Sequence, residues 1–163
     1  MNLEIEKIPS PIGTILLVFE GETLRALNFS DREENIHRLL RLHYGAVTLT
    51  PGKTSIRREI DAYFEGDLGA LKRVCVQTGG SDFQRKVWTA LTAIEPGETK
   101  SYGEIAAAIG HPKAVRAVGA ANGANPVSLV VPCHRVIGGN GSLTGYGGGL
   151  DRKKWLLAHE RAC

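Results

Sequence analysis

Gly79-Gly80 divides this 163-residue chain into a half that mixes strand and helix periods and a half that is almost all helical. Before that point, Leu3 to Ile8 alternates, Thr14 to Phe19 is mostly apolar, and Leu24 to Phe29 forms a third such run. Pro9-Ser10-Pro11 with Gly13, then Glu20-Gly21-Glu22, break them apart, the pattern of a three-stranded antiparallel meander. Helical spacing follows twice, in Asp31 to His43 (Ile36, Leu39, Leu40) and in Thr54 to Phe64 (Ile56, Ile60, Tyr63). After Gly80 the signals are almost all helical. The expected fold class is therefore α/β (α+β). Residues 1–80 are read as a small N-terminal structural domain, and residues 81–163 as a mainly helical C-terminal domain.

The second half is clearly punctuated. Ser81 with Gln84 forms a capping box for a helix bearing Phe83, Val87, Trp88, Leu91 and Ile94, which Glu95-Pro96-Gly97 stops. Ser101 with Glu104 caps a second, short helix that ends at Gly110. A third begins near Lys113 and runs through Arg116, Val118 and Ala121. Two short helices with glycine in the connection give a helix-turn-helix outline. The third helix is built from Ala114, Ala117, Gly119, Ala120, Ala121 and Gly123. Such a smooth surface suits close internal packing or close approach to another molecule, and both readings stay open.

Composition excludes several classes. No segment approaches the ~18 apolar residues of a membrane span, and the acidic, alternating N-terminus is wrong for a signal peptide. Cys75, Cys133 and Cys163 are too few and scattered for a disulfide framework or a zinc cluster, which fits a reducing cytoplasm. The net charge of +3 is uneven. Residues 1–80 hold ten Lys/Arg against eleven Asp/Glu, and residues 81–163 ten against six, so a polyanion would meet the second half first.

Chemistry concentrates after Asn125-Pro126. Val127 to Val131 reads as a buried strand that delivers Pro132-Cys133-His134-Arg135. Cys133 is either a small buried hydrophobe or a nucleophile whose proton His134 takes, with Arg135 or a helix N-terminus favouring the thiolate. Seven glycines between Gly138 and Gly149, with Tyr146 among them, form either a flexible surface loop or one wall of a pocket for a flat ligand. No nucleotide P-loop pattern is present. Glu160 closes a last helix, starting at Asp151, whose core face is Trp155, Leu156 and Leu157. It matters chemically only if it folds back to orient His134.

Six runs, in order and spacing, complete the pattern. They are Phe83-Gln84-Arg85-Lys86-Val87-Trp88, Ser101-Tyr102-Gly103, Arg116-Ala117-Val118-Gly119, Asn125-Pro126-Val127, Pro132-Cys133-His134-Arg135-Val136-Ile137 and Trp155-Leu156-Leu157. Together they resemble the O6-alkylguanine-DNA alkyltransferases, also called methylated-DNA–protein-cysteine methyltransferases, in their bacterial single-function form. The resemblance covers the whole chain and is densest from Ser81 to Glu160. It implies a ribonuclease H-like N-terminal domain and direct-reversal DNA repair. An alkyl group would pass irreversibly from O6-alkylguanine, and also O4-alkylthymine, to Cys133 after minor-groove binding and base flipping. The implied partner is double-stranded DNA bearing the lesion. The protein would act as a monomer, with cooperative binding along DNA, and would need no cofactor or metal.

The resemblance also implies roles by position. Cys133 is the acceptor, His134 its base through a bridging water, Glu160 the group that orients His134, and Asn125 a hinge between the recognition helix and the active-site turn. Arg116 enters the duplex in place of the flipped base. Tyr102 crowds the 3′ phosphate and supplies a proton toward the guanine leaving group. Ala117, Gly119 and Arg85 complete the DNA-contacting set. Carbonyls of Cys133 and Val136 read the guanine amino group, while Tyr146, Gly147 and Gly148 close over the base.

This chain departs from parts of the family pattern. Residues 1–80 offer only Cys75, His37 and His43 where some members bind zinc, so no zinc is expected. Gly147 and Ser128 replace a serine and a proline found in some members, which points to a roomier or more mobile pocket. No appended phosphotriester-repair domain is expected. Two competing classes are a lesion-binding protein without transfer, which the presence of Cys133 opposes, and a cysteine hydrolase using Cys133, His134 and Glu160.

Overall fold

Continuous burial of one strand organises the first half. The computed structural model describes residues 1–141 and 146–162. Strand β1 (Asn2–Ile8) pairs antiparallel with β2 (Ile15–Glu20), which pairs antiparallel with β3 (Thr23–Phe29). Every residue of β2 from Ile15 to Phe19 is buried, because both faces of the sheet are covered. Leu16 and Val18 face helix α1 (Glu33–Tyr44), packing with Ile36 and Leu40. Ile15, Leu17 and Phe19 face the rest of the molecule.

The sheet has five strands rather than the expected three, in the order β4-β1-β2-β3-β5. Strand β4 (Thr48–Pro51) adds in parallel beside β1, then comes helix α2 (Ile56–Phe64), and β5 (Cys75–Val76) adds in parallel beside β3. Both additions are edges, one half polar and ending in proline, the other two residues long, so neither shows a strand period.

Both capping boxes form as read. Ser81 and Gln84 cap α3 (Asp82–Thr92), and Ser101 and Glu104 cap α4 (Tyr102–Ala108). Between them lies β6 (Lys100–Ser101). Helix α5 (Val115–Gly123) packs on both α3 and α4, and the Trp88 indole donates to the Ala121 carbonyl at 2.8 Å. Strand β7 (Val136–Ile137) pairs in parallel with β6, and α6 (Leu150–Ala162) closes the chain.

Val127 to Val131 is not a strand. Val127 makes one parallel bridge to Leu27, flanked by Leu27 N–H to Pro126 O at 3.0 Å and Ser128 N–H to Leu27 O at 3.1 Å. The run then coils, with Leu129 at φ 74°. It is apolar because it is buried on all sides, a situation periodicity does not separate from a central strand. One apolar cluster runs from Leu17, Leu27 and Phe29 through Tyr63 to Trp88, Val127 and Leu156.

That continuity has a measurable consequence. Leu17 is fully buried in the first half, whereas both tryptophans, Trp88 and Trp155, lie in the second. Leu17→Ala is expected to cost about 2–5 kcal/mol in urea denaturation. Tryptophan fluorescence and far-ultraviolet dichroism should report one coincident transition. A fluorescence midpoint unmoved by Leu17→Ala would show that the halves unfold independently.

Candidate active site

The turn that presents Cys133 is held by side chains in place of a ladder. Asn125 Oδ1 accepts the Val127 N–H at 3.0 Å and Asn125 Nδ2 donates to Val131 O at 2.9 Å, so one amide clamps both ends of the coil. Cys133, His134 and Arg135 then form a single 3₁₀ turn, all buried. The adjoining β7 pairs with β6, which runs directly into Tyr102 at the start of α4. Two residue pairs thus fasten Tyr102 beside the cysteine turn.

Helix α6 brings the charge. Lys153, Leu156, Leu157 and Glu160 lie on one helical face and all are buried, with Lys153 fully so. Glu160 Oε2 accepts from His134 Nε2 at 2.8 Å, Arg135 Nη2 at 2.8 Å and the Tyr63 hydroxyl at 2.7 Å. Oε1 accepts from Arg135 Nε at 2.8 Å. A carboxylate only accepts, so the His134 proton sits on Nε2. His134 Nδ1 is buried and has no hydrogen-bond partner among the described residues.

Burial pushes the Cys133 thiol up, against the opposing pull of Asn125, Lys153 and Ser128. Burial likewise lowers His134, against the opposing effect of Glu160. The resting pair is therefore a neutral thiol beside a neutral imidazole. Burial also pushes the Glu160 carboxyl up, but hydrogen bonds from His134 and Arg135 outweigh it and hold the group far below the usual carboxylate range. The expected role of Arg135 at the thiol is not what the geometry gives. Its guanidinium grips Glu160 and the Ile94 carbonyl (2.7 Å), and the cation that acts on Cys133 is Lys153.

Tyr102, Gly119, Asn122, Gly123, Cys133, Tyr146 and Gly147 line one cleft of about 410 Å³. Five of these are residues expected from the sequence. Gly148 adjoins it, where a Cβ would lie 2.6 Å from the Tyr146 ring and 3.0 Å from Phe29, so one of the rings would have to move. Val136 is buried behind the turn, and its carbonyl accepts Lys153 Nζ at 2.7 Å. Arg116 and Ala117 are exposed on α5. Arg85 lies outside the cleft, bonded to Asp82 and to Gly80 O. Gly145 and Cys163 lie outside the described residues.

Four residues escaped the sequence reading. Lys153 was findable, since its spacing of seven from Glu160, with Leu156 and Leu157 between, puts both on the apolar face. Asn122 gave no signal, and Tyr63 showed only as an apolar position of its helix, not as a partner of Glu160. Arg152 is the fourth: it stacks over Phe29 (4.2 Å), donates to Ile12 O (2.8 Å) and Gly148 O (2.9 Å), and pairs with Asp31 (2.8 Å). It ties the Tyr146–Gly149 segment to the N-terminal sheet.

The family described as 6-O-methylguanine DNA methyltransferase, DNA binding domain, matches residues 82–162. A methylated-DNA–protein-cysteine methyltransferase of Salmonella typhimurium is 48% identical, over 98% of this chain and 96% of its own length. The chain belongs to the methylated-DNA–protein-cysteine methyltransferases. A Mycobacterium tuberculosis relative of that name is 47% identical over 95% of this chain and 90% of its own length. The crystal structure of M. tuberculosis OGT in complex with DNA superposes with a TM-score of 0.82 at 43% identity, covering 99% of this chain and 94% of that one. The Pyrococcus kodakaraensis O6-methylguanine-DNA methyltransferase gives 0.77 at 26% identity, covering 97% and 98%. The α/β fold of the chain is thus that of the family.

Removing Glu160 strands a buried guanidinium and an imidazole, so Glu160→Ala is expected to cost roughly 3–5 kcal/mol. The carboxyl is depressed in the folded state. Its contribution is therefore complete above the unfolded value of about 4.3 and is lost as pH falls below it. Urea midpoints should drop as pH falls through 4, and Glu160→Gln should already be weakened at pH 7. Wild-type stability in Glu160→Gln at pH 7 would refute the linkage.

Proposed function

We propose that this chain repairs duplex DNA by moving the alkyl group of O6-alkylguanine onto Cys133 Sγ, once per molecule. The observation that carries the reading is the cleft in which a buried thiol, attached to a His134–Glu160 pair, meets Tyr102, Tyr146 and Gly147. A neutral thiol is a poor nucleophile and needs a base. His134 Nδ1, facing no partner among the described residues, takes the Cys133 proton through a bridging water. The thiolate attacks the alkyl carbon, the S–C bond forms and the C–O6 bond breaks. Its electron pair leaves on guanine, and a proton delivered by way of Tyr102 completes the neutral base. A thioether has no easy route back to a thiol, so the reaction ends there, without cofactor or metal.

The target carbon is hidden in a stacked duplex, so the base must be extruded into the cleft, at a few kcal/mol. Helices α4 and α5 act as the helix-turn-helix. The small face of Ala117 and Gly119 enters the minor groove, Arg116 fills the vacated stack, and Arg85 meets backbone phosphate. Asn125 is the hinge between α5 and the acceptor turn. The Cys133 and Val136 carbonyls read the guanine amine, and Asn122 Oδ1, a buried acceptor without a partner among the described residues, offers it a further bond. Tyr146, Gly147 and Gly148 close over the base. O4-alkylthymine is a second substrate of the same cleft. Residues 1–80 support this half as a structural domain, and their meander, with a strand added in parallel beside the first, supports a ribonuclease H-like reading. The protein works as a cytoplasmic monomer, with cooperative loading along DNA. Among the described residues no helix is long and apolar enough to cross a membrane.

Duplex DNA containing O6-methylguanine should add one methyl mass to Cys133, read by intact and peptide mass spectrometry, and never more than one per chain. Repeated turnover would sink the single-use chemistry, and tight binding without a mass shift would leave a lesion binder. Arg116→Ala should slow repair of duplex at least tenfold while sparing free O6-benzylguanine; equal loss on both would remove its role in the stack. Duplex binding should weaken as salt rises.

A further inference from the structure

Glu160 is held from the other half of the chain as well as from its own. The Tyr63 hydroxyl, near the end of α2, donates at 2.7 Å to Glu160 Oε2, the oxygen that also accepts His134 Nε2. Nothing in a cysteine–histidine–glutamate relay requires a phenol there. We infer that Tyr63 is a positioning residue for alkyl transfer, whose hydroxyl fixes Glu160 and shares its charge, and so sets how readily His134 accepts a proton. Its chemical meaning rests on the alkyl-transfer reading above.

The seat is built for this contact. Tyr63 is fully buried, its ring lies edge-on to Phe64 and to His159 (both 5.2 Å between centroids), and its carbonyl bonds His159 Nε2 at 2.8 Å. Consecutive residues of α6 thus grip the main chain and the hydroxyl of one tyrosine. Burial, with the adjacent Glu160 charge, pushes the phenol far above its ordinary range, so it stays a donor wherever the protein is folded. The ionisable groups around the contact are His134 and Arg135 from the acceptor turn, Glu160, His159 and Lys153 from α6, and Tyr146. Of these, Tyr63, Arg135 and His134 compete for the carboxylate.

Competition gives the effect a direction. Without the phenol O–H, more of the Glu160 charge acts on His134, and the imidazole gives up its proton less readily. The rate of transfer rises with pH as His134 becomes neutral, so that acid limb should move to higher pH. Glu160 also loses a bond that fixes its rotamer, which should slow the plateau roughly three- to tenfold.

The experiment compares wild type, Tyr63→Phe and Ile60→Val in the full chain. Ile60 is a fully buried neighbour on α2 that does not touch Glu160 through any hydrogen bond. Rates with free O6-benzylguanine and with O6-methylguanine duplex are followed from pH 5 to 9, together with the His134 ring titration by NMR. Tyr63→Phe should slow both substrates alike and raise both the limb and the His134 titration point. Ile60→Val should lower only the urea midpoint. An unshifted His134 titration in Tyr63→Phe, or a loss of rate that merely tracks stability as in Ile60→Val, would overturn the inference. If the wild type transfers no alkyl group, the alkyl-transfer reading falls, while the NMR titration still decides whether Tyr63 tunes His134.

Discussion

The Glu160 carboxylate is the interaction on which the rest of the site depends. A charge with no access to water is tolerable only where donors replace its hydration. Here four do so, from His134, Arg135 twice and Tyr63. They arrive from the acceptor turn and from α2, while Glu160 itself belongs to α6. One side chain therefore fixes three segments that are remote in sequence. Buried ion pairs add little net stability over a well-packed apolar core, but they penalise every arrangement that leaves the charge unpaired. That penalty is what an acceptor turn without a strand ladder needs, since coil has few other means of holding one conformation.

The same burial decides the protonation states. Burial raises the thiol and lowers the imidazole, so Cys133 and His134 rest neutral. A free thiolate would be exposed to oxidation and stray alkylation. A neutral pair carries no such charge at rest. Lys153 completes the arrangement. Its ammonium is buried, bonded to the Val136 carbonyl, and its charge favours the thiolate of Cys133. Cation and carboxylate are both supplied by a single buried face of α6, one bonded to the Val136 carbonyl and the other to His134 and Arg135.

How much of this was legible follows from the kind of signal each residue gives. The helices of the second half were, because capping boxes and 3.6-residue spacing are local, and Ser81, Gln84, Ser101 and Glu104 all cap as read. Cys133, His134, Glu160, Tyr102, Tyr146 and Gly147 were legible by resemblance, and the fold brings them to one cleft and its supporting relay. The edge strands β4 and β5 were not, since two to four residues carry no period. Val127 to Val131 misled for a definite reason: an apolar run reports burial, and burial is shared by a central strand and by a coil that an Asn125 amide clamps. The contacts of Tyr63 with Glu160 and of Arg152 with Ile12 were illegible because they join residues ninety or more positions apart, and no local pattern encodes a contact at that range.

The wall of the cleft separates what packing demands from what it leaves free. Gly148 is constrained, for a Cβ there would press on the rings of Tyr146 and Phe29 and one of them would have to move. Arg152 then secures that glycine's carbonyl to Ile12 and Asp31 of the N-terminal unit, so the wall is braced from outside the helical half. Gly147 is different. Among the described residues a Cβ there would meet nothing within 4 Å, and its backbone does not require the left-handed region. Glycine at this position relieves no clash with the described residues; it leaves volume in a cleft that Cys133 also lines. A larger side chain at 147 would take up space in the cleft beside Cys133 without meeting any described residue, whereas the same change one residue later would have to move the wall. Of the two glycines, Gly147 is therefore the one at which the described contacts leave cleft volume free to vary.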